Sequence, residues 1–154
     1  MTAVALVVSE YHAFITDGLE AGARAALAEA GWADEAVETF LVPGAFELPQ
    51  AAKRLAESQR FAAIICLGCL IRGETPHFDY IAQAASAGIM HAAQSTGVPV
   101  AFGLLTTNTV DEAVARSAPG PSNKGREAAM AAASMARLYA RLAGHDSDGD
   151  WDET

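Results

Sequence analysis

Chemistry is concentrated in one stretch, Gly68-Cys69-Leu70-Ile71-Arg72-Gly73-Glu74-Thr75-Pro76-His77-Phe78-Asp79-Tyr80. It follows the apolar run 62–67, of the kind a strand buried on both faces requires, and precedes an alanine-rich run, 81–96, that reads as a helix. Thr75 is placed as an N-cap, Pro76 fits a first helical position, and Asp79 sits where the helix dipole favours negative charge. The amides around Gly73, Glu74 and Thr75 would then face outward as an anion cradle. His77 falls in the first turn, where the dipole opposes a positive charge, so its imidazole is placed to accept a proton. A plain helix start carrying a surface histidine fits these residues equally well.

Four strands are needed to position such a site. The spacing predicts strands over 3–8, 37–42, 62–67 and 98–105. Helices are expected over 14–30, 50–57, 81–96, 110–116 and from Asn123 to about Leu142, with Gly31 as a stop signal. Connections too long for hairpins imply a parallel sheet covered on both faces. The fold class is therefore α/β, a three-layer α/β/α sandwich with a four-stranded parallel sheet. Parallel strands bring Tyr11-His12, Ala45-Phe46-Glu47, Cys69 to His77, and Phe102-Gly103 to one edge, where ligands bind in such sheets. Aromatic faces, a carboxylate and glycine-exposed backbone suit a flat heterocycle whose polar rim is read by main chain and Glu47. Tyr11, Phe46 and Phe102 also fit as core residues. Arg116 and Lys124 suggest a second anion site, although each also fits simple helix-terminus electrostatics.

The chain has 154 residues, 51% of them hydrophobic, with a formal net charge of −9. No apolar run approaches the roughly 20 residues of a membrane span, and no signal peptide is evident, so a cytoplasmic protein is expected. Asp146, Asp148, Asp150, Asp152 and Glu153 crowd the last residues, leaving a net of −4 elsewhere. With no basic stripe, nucleic-acid binding is disfavoured. The chain divides into one domain, 1–143, and an acidic tail, 144–154, expected to be disordered; the tail lacks the glycine and glutamate of a calcium loop. Cys66 and Cys69 form a C-x-x-C, but Cys66 lies within an apolar strand and zinc spacing is missing, so both read as reduced structural or pocket-wall thiols.

From Val4 to Leu142 the chain resembles the lumazine synthase family. The likeness rests on Phe14-Ile15-Thr16, on 42–49, on Leu67-Gly68 with 71–80, on Phe102-Gly103-Leu104-Leu105-Thr106-Thr107 and on Asn123-Lys124-Gly125. The resemblance implies a flavodoxin-like fold and a transferase of riboflavin biosynthesis. Its reaction would condense 5-amino-6-(D-ribitylamino)uracil with 3,4-dihydroxy-2-butanone 4-phosphate to 6,7-dimethyl-8-ribityllumazine, without metal or organic cofactor. It implies that Tyr11 stacks on the pyrimidine, that Ala45, Phe46 and Glu47 hold the ring and ribityl chain, and that Cys69, Leu70 and Ile71 line the pyrimidine site. Glu74 and Thr75 would bind phosphate with Arg72 nearby, and His77 would transfer protons. Phe102, Arg116 and Lys124 would come from a neighbouring subunit, Arg116 binding phosphate.

The family's intersubunit sites further imply a homopentamer or a multiple of it. A start at the first core strand favours a pentamer or decamer over a sixty-subunit shell. Tyr11 replaces the usual Phe or Trp, His12 a more usual Asn, and Ala84 a common helix glutamate; the Pro119-Gly120-Pro121 turn is atypical. A lumazine-binding relative without chemistry and a riboflavin synthase of the archaeal type are the alternatives, separable by supplying each substrate set.

Overall fold

The computed structural model describes residues 3–144, so the acidic-tail expectation for 145–154 lies outside the described residues. The strands are β1 (Ala3–Ser9), β2 (Val37–Val42), β3 (Phe61–Ile71) and β4 (Val100–Thr107). The helices are α1 (Ala13–Glu29), α2 (Leu48–Glu57), α3 (His77–Thr96), α4 (Val110–Ser117) and α5 (Lys124–Leu142), with 3-10 turns at Asp34–Ala36 and Ala45–Glu47. All strand pairs are parallel, in the order β2-β1-β3-β4. The expected three-layer α/β arrangement is present. Leu6, Ile65 and Leu67 pack with Leu19 of α1, Ala113 of α4 and Ala128 of α5. Val7, Ile64 and Cys66 pack on the other face with Leu48 and Ala52 of α2 and Ala85 and Ile89 of α3. Apolar residues on both sides of β1 and β3 explain their unbroken hydrophobic runs.

Three of the boundary differences bear on the site. β3 runs on to Ile71 because β4 accompanies it, with Ile71 paired to Thr107. β4 starts two residues late: Pro99 has no N–H to donate, and only its carbonyl is used, accepting from the Ile64 amide at 2.9 Å. Phe102 therefore pairs with Cys66 near the start of β4, not at its carboxyl end. Finally, α3 begins at His77 with Pro76 in the cap position, and the Thr75 hydroxyl accepts weakly from the His77 amide at 3.4 Å rather than capping a later turn.

The two thiols sit on opposite faces of β3, Cys66 with α2 and α3, and Cys69 with α1 and α5. A three-residue offset on a strand reverses side-chain direction, so no bridge can form between them. Burial pushes the Cys66 thiol up to about 12 and the Cys69 thiol up to about 11. Native protein treated with iodoacetamide at pH 8 should stay unlabelled while denatured protein gains two adducts; rapid native labelling would contradict this packing.

Asn123 ties α1, the turn after α4 and the start of α5 together. It is buried, donates through Nδ2 to the carbonyls of Gly18 (3.1 Å), Ser117 (3.0 Å) and Ala118 (3.0 Å), and accepts the Arg126 amide at Oδ1 (3.0 Å). Close approach is possible because Gly18, Gly22 and Gly125 line the contact; a Cβ at any of them would collide with Ser117, Asn123 or Leu19. Removing the amide would strand buried carbonyls, which costs more than the bonds contribute. Asn123→Ala should lower unfolding free energy by about 2–4 kcal/mol in urea denaturation.

Candidate active site

Strand lengths create an opening at the sheet's carboxyl edge. β1 pairs with β3 only as far as Val8 with Leu67, whereas β3 pairs with β4 through Ile71. The last four residues of β3, 68–71, thus have a neighbouring strand on one side only. The Thr16 hydroxyl donates to the Ser9 carbonyl at 2.9 Å, at the point where the β1 ladder would have continued. Ile64 and Arg72 both send their N–H groups to the β4 side. Main-chain direction alternates along a strand, so Cys69 and Ile71 offer N–H and C=O groups to the side where β1 has ended. The chain turns from β1 towards β2 one way and from β3 towards β4 the other, making this gap the topological switch point. Cys69 contributes here through its backbone, since its side chain is in the core.

Beyond this edge, 72–76 form a short exposed link into α3, whose N-terminus lacks any side-chain cap. At that start the His77 amide donates weakly to the Thr75 hydroxyl at 3.4 Å and the Asp79 amide donates to the Pro76 carbonyl at 3.0 Å. His77 is exposed at the first position of the helix.

On the other side of the gap, Tyr11 is 64% exposed and Phe46 55%. Tyr11 precedes His12, whose φ of 60° places it in the left-handed region and whose carbonyl accepts the Ile15 and Thr16 amides as α1 begins. Asn, Asp and His adopt that backbone more readily than other side chains. The His12 ring lies 4.4 Å from that of Tyr11, and burial holds its pKa below the ordinary imidazole value.

The turn Ala45–Glu47 packs along α3. Pro49 faces Gly88, Ala45 shares a core cluster with Ala85, and Ile81 packs on the same cluster, so the chain climbs from α2 towards the first turn of α3. Phe46 and Glu47 are carried in the direction of His77. The Glu47 carboxylate turns back over Gly44, so close that a Cβ there would meet Oε1 at 3.3 Å.

The remaining expected residues do not join this group within one chain. Phe102 lies on β4, three strands from β2, or roughly 14 Å at ordinary strand spacing. It accompanies Lys124, whose Nζ is 5.9 Å from its ring centroid and 2.9 Å from Glu127. Arg116 is exposed near the end of α4, across the turn that Asn123 anchors. The strand-end convergence expected for Phe102 is therefore corrected: β4 begins later, and Phe102 belongs to the outer edge.

Sequence reasoning missed the anchoring roles of Thr16, Asn123 and the side chain of Arg72, each of which depends on a partner distant in the chain. A cleft of about 420 Å³ between α1 and the 119–121 turn was also unforeseen. Glu29 and Arg126, paired with one another, are its charged lining, and none of the expected site residues lines it.

Comparison with known proteins agrees with the motif reading. A family model described as 6,7-dimethyl-8-ribityllumazine synthase matches residues 2–140. A protein of that name from Syntrophus aciditrophicus (strain SB) is 47% identical over 137 residues, covering 89% of each chain. One of the same name from Desulfatibacillum aliphaticivorans is 47% identical over 133 residues, covering 86% of each. With nearly the whole length matched, the chain belongs to the 6,7-dimethyl-8-ribityllumazine synthase family.

Proposed function

We propose that the protein condenses 5-amino-6-(D-ribitylamino)uracil with 3,4-dihydroxy-2-butanone 4-phosphate, releasing 6,7-dimethyl-8-ribityllumazine, phosphate and water. The observation that carries this reading is the unpaired edge of β3, flanked by two exposed aromatics and followed directly by the anion cradle and His77. A pyrimidine carries donors and acceptors around a flat ring, and this edge supplies their complements: the main-chain groups of Cys69 and Ile71, with Leu70 between them. Tyr11 and Phe46 provide faces for stacking. Ala45 and Glu47 hold the ring and ribityl chain, while the amides of Glu74 and Thr75 receive the phosphate.

The chemistry then follows from juxtaposition. The 5-amino group adds to the ketone and loses water, forming a carbon–nitrogen double bond. Loss of the C3 proton expels phosphate from C4 and leaves an enol, which becomes a ketone at C3; the ribitylamino nitrogen then closes onto that carbonyl with loss of a second water. Each step moves protons, and none requires a covalent bond to the protein. His77, beside the cradle, is the group that accepts and returns them. Holding the two reactants together supplies much of the acceleration.

We further propose that each site is completed by a second copy of this chain, in a homopentamer or a multiple of it. Support comes from the separation of Phe102, Lys124 and Arg116 from the rim that needs a phosphate partner. Tyr80 and Met90 on α3 and Met130 on α5 leave apolar surface uncovered that such a copy would bury. Among the described residues no helix is long and apolar enough to cross a membrane, and water-soluble substrates and two free thiols support a cytoplasmic location.

Mixing the two substrates with purified protein and following the fluorescent product tests the reaction. Tight binding of lumazine without turnover would instead indicate a binding relative. His77→Ala should reduce kcat about a hundredfold without abolishing turnover; an unchanged rate would remove His77 from the mechanism.

A further inference from the structure

Arg72 stands beside the proposed phosphate cradle, yet its side chain is already engaged. Nε donates to Oδ1 of Asn108 at 3.1 Å, and Nη1 pairs with Oδ1 of Asp79 at 3.3 Å. The guanidinium carbon lies 4.5 Å from the centre of the Phe78 ring. Its own amide donates to the Thr107 carbonyl at 2.9 Å. Arg72 is thus fixed to β4 through its main chain and reaches across to grip residues 78 and 79 through its side chain. Gly73, Glu74, Thr75, Pro76 and His77 are strung between those two holds. The anchor is itself braced: the Asn108 amide donates to Oε1 of Glu112 at 2.8 Å, and Glu112 completes a capping box with Thr109 at the start of α4.

Individually these exposed contacts are weak. Together they use the planar fork in a way that a lysine could not, because one guanidinium must stack and donate in two directions. Closing a short exposed link at both ends removes conformational freedom that it would otherwise lose on binding an anion.

We propose that Arg72 is a positioning residue for the phosphorylated substrate: it sets the backbone of Gly73–His77 in its anion-binding form and does not itself bind phosphate, with Asn108 as its second anchor. The proposal rests on the reading of this link as the phosphate cradle. The rival role, direct pairing of Arg72 with the phosphate, makes opposite predictions.

Steady-state kinetics on the full-length enzyme distinguish them. Asn108→Ala leaves the charge of Arg72 and the backbone bond to Glu112 intact, and removes only the Nε anchor. It should raise KM for the phosphorylated ketone about five- to tenfold, with KM for the diaminouracil within about twofold and kcat reduced less than KM rises. Arg72→Lys should raise the same KM at least as far. The double variant should be no worse than Arg72→Lys alone, since both changes open one clamp. An unchanged or lowered KM in Asn108→Ala, a near-normal KM in Arg72→Lys, or additive effects in the double variant would each overturn the proposal. Absence of turnover in the unmodified enzyme would instead refute the functional reading on which it rests.

Discussion

The candidate site depends on a mismatch in length between two adjacent strands. β1 stops at Ser9, where the Thr16 hydroxyl takes the carbonyl that a longer ladder would have used. β3 continues four residues past its last partner on β1, supported from the other side by β4. Had β1 extended as far, its peptide groups would have satisfied those of Cys69 and Ile71, leaving a ligand nothing to bond. Had β4 been shorter, the overhang would have lost the neighbour that keeps it extended. Polar backbone in a hydrophobic setting demands partners, and on this side of 68–71 no neighbouring strand supplies them.

Around that edge the residues fall into two groups that a single chain keeps apart. Tyr11, Phe46, Glu47 and the link from Arg72 to His77 gather over β2, β1 and β3. Phe102 and Lys124 lie at the β4 margin, with Arg116 beyond the turn on α4. The division follows from strand order. Phe102 sits opposite Cys66 near the start of β4, below the 68–71 overhang of β3.

Much of this was legible in the residues, and the failures are instructive. The doubly apolar runs of β1 and β3, the Gly31 stop and Asn123 before α5 all act through neighbours in sequence, so their effects can be read locally. The motif 68–80 likewise carries its own helix start, although α3 opens at His77 with Thr75 less engaged than an N-cap would be. Strand ends were misjudged because they are set by what lies alongside: Ile71 is strand only because Thr107 pairs with it. Phe102 was placed at the wrong end for the same reason. Asn123 was read as a cap, which it is, but its bond to Gly18 spans 105 positions and leaves no trace in local spacing. The grip of Arg72 on Asn108 is equally nonlocal.

The crowded contact between α1 and α5 also bears on how tolerance to replacement should be interpreted. Gly18 and Gly125 are confined by the backbone of Ser117 and Leu19, and Gly22 by the Asn123 side chain, leaving no room for even a methyl group, and Asn123 there both donates and accepts. In a saturation screen scored by growth, these four positions would stand out as sharply as the helix-opening imidazole, though none is expected to meet a reactant. Separating the two classes calls for a second axis, such as soluble abundance: scaffold failures would deplete the protein itself, whereas chemical failures would leave it plentiful and idle.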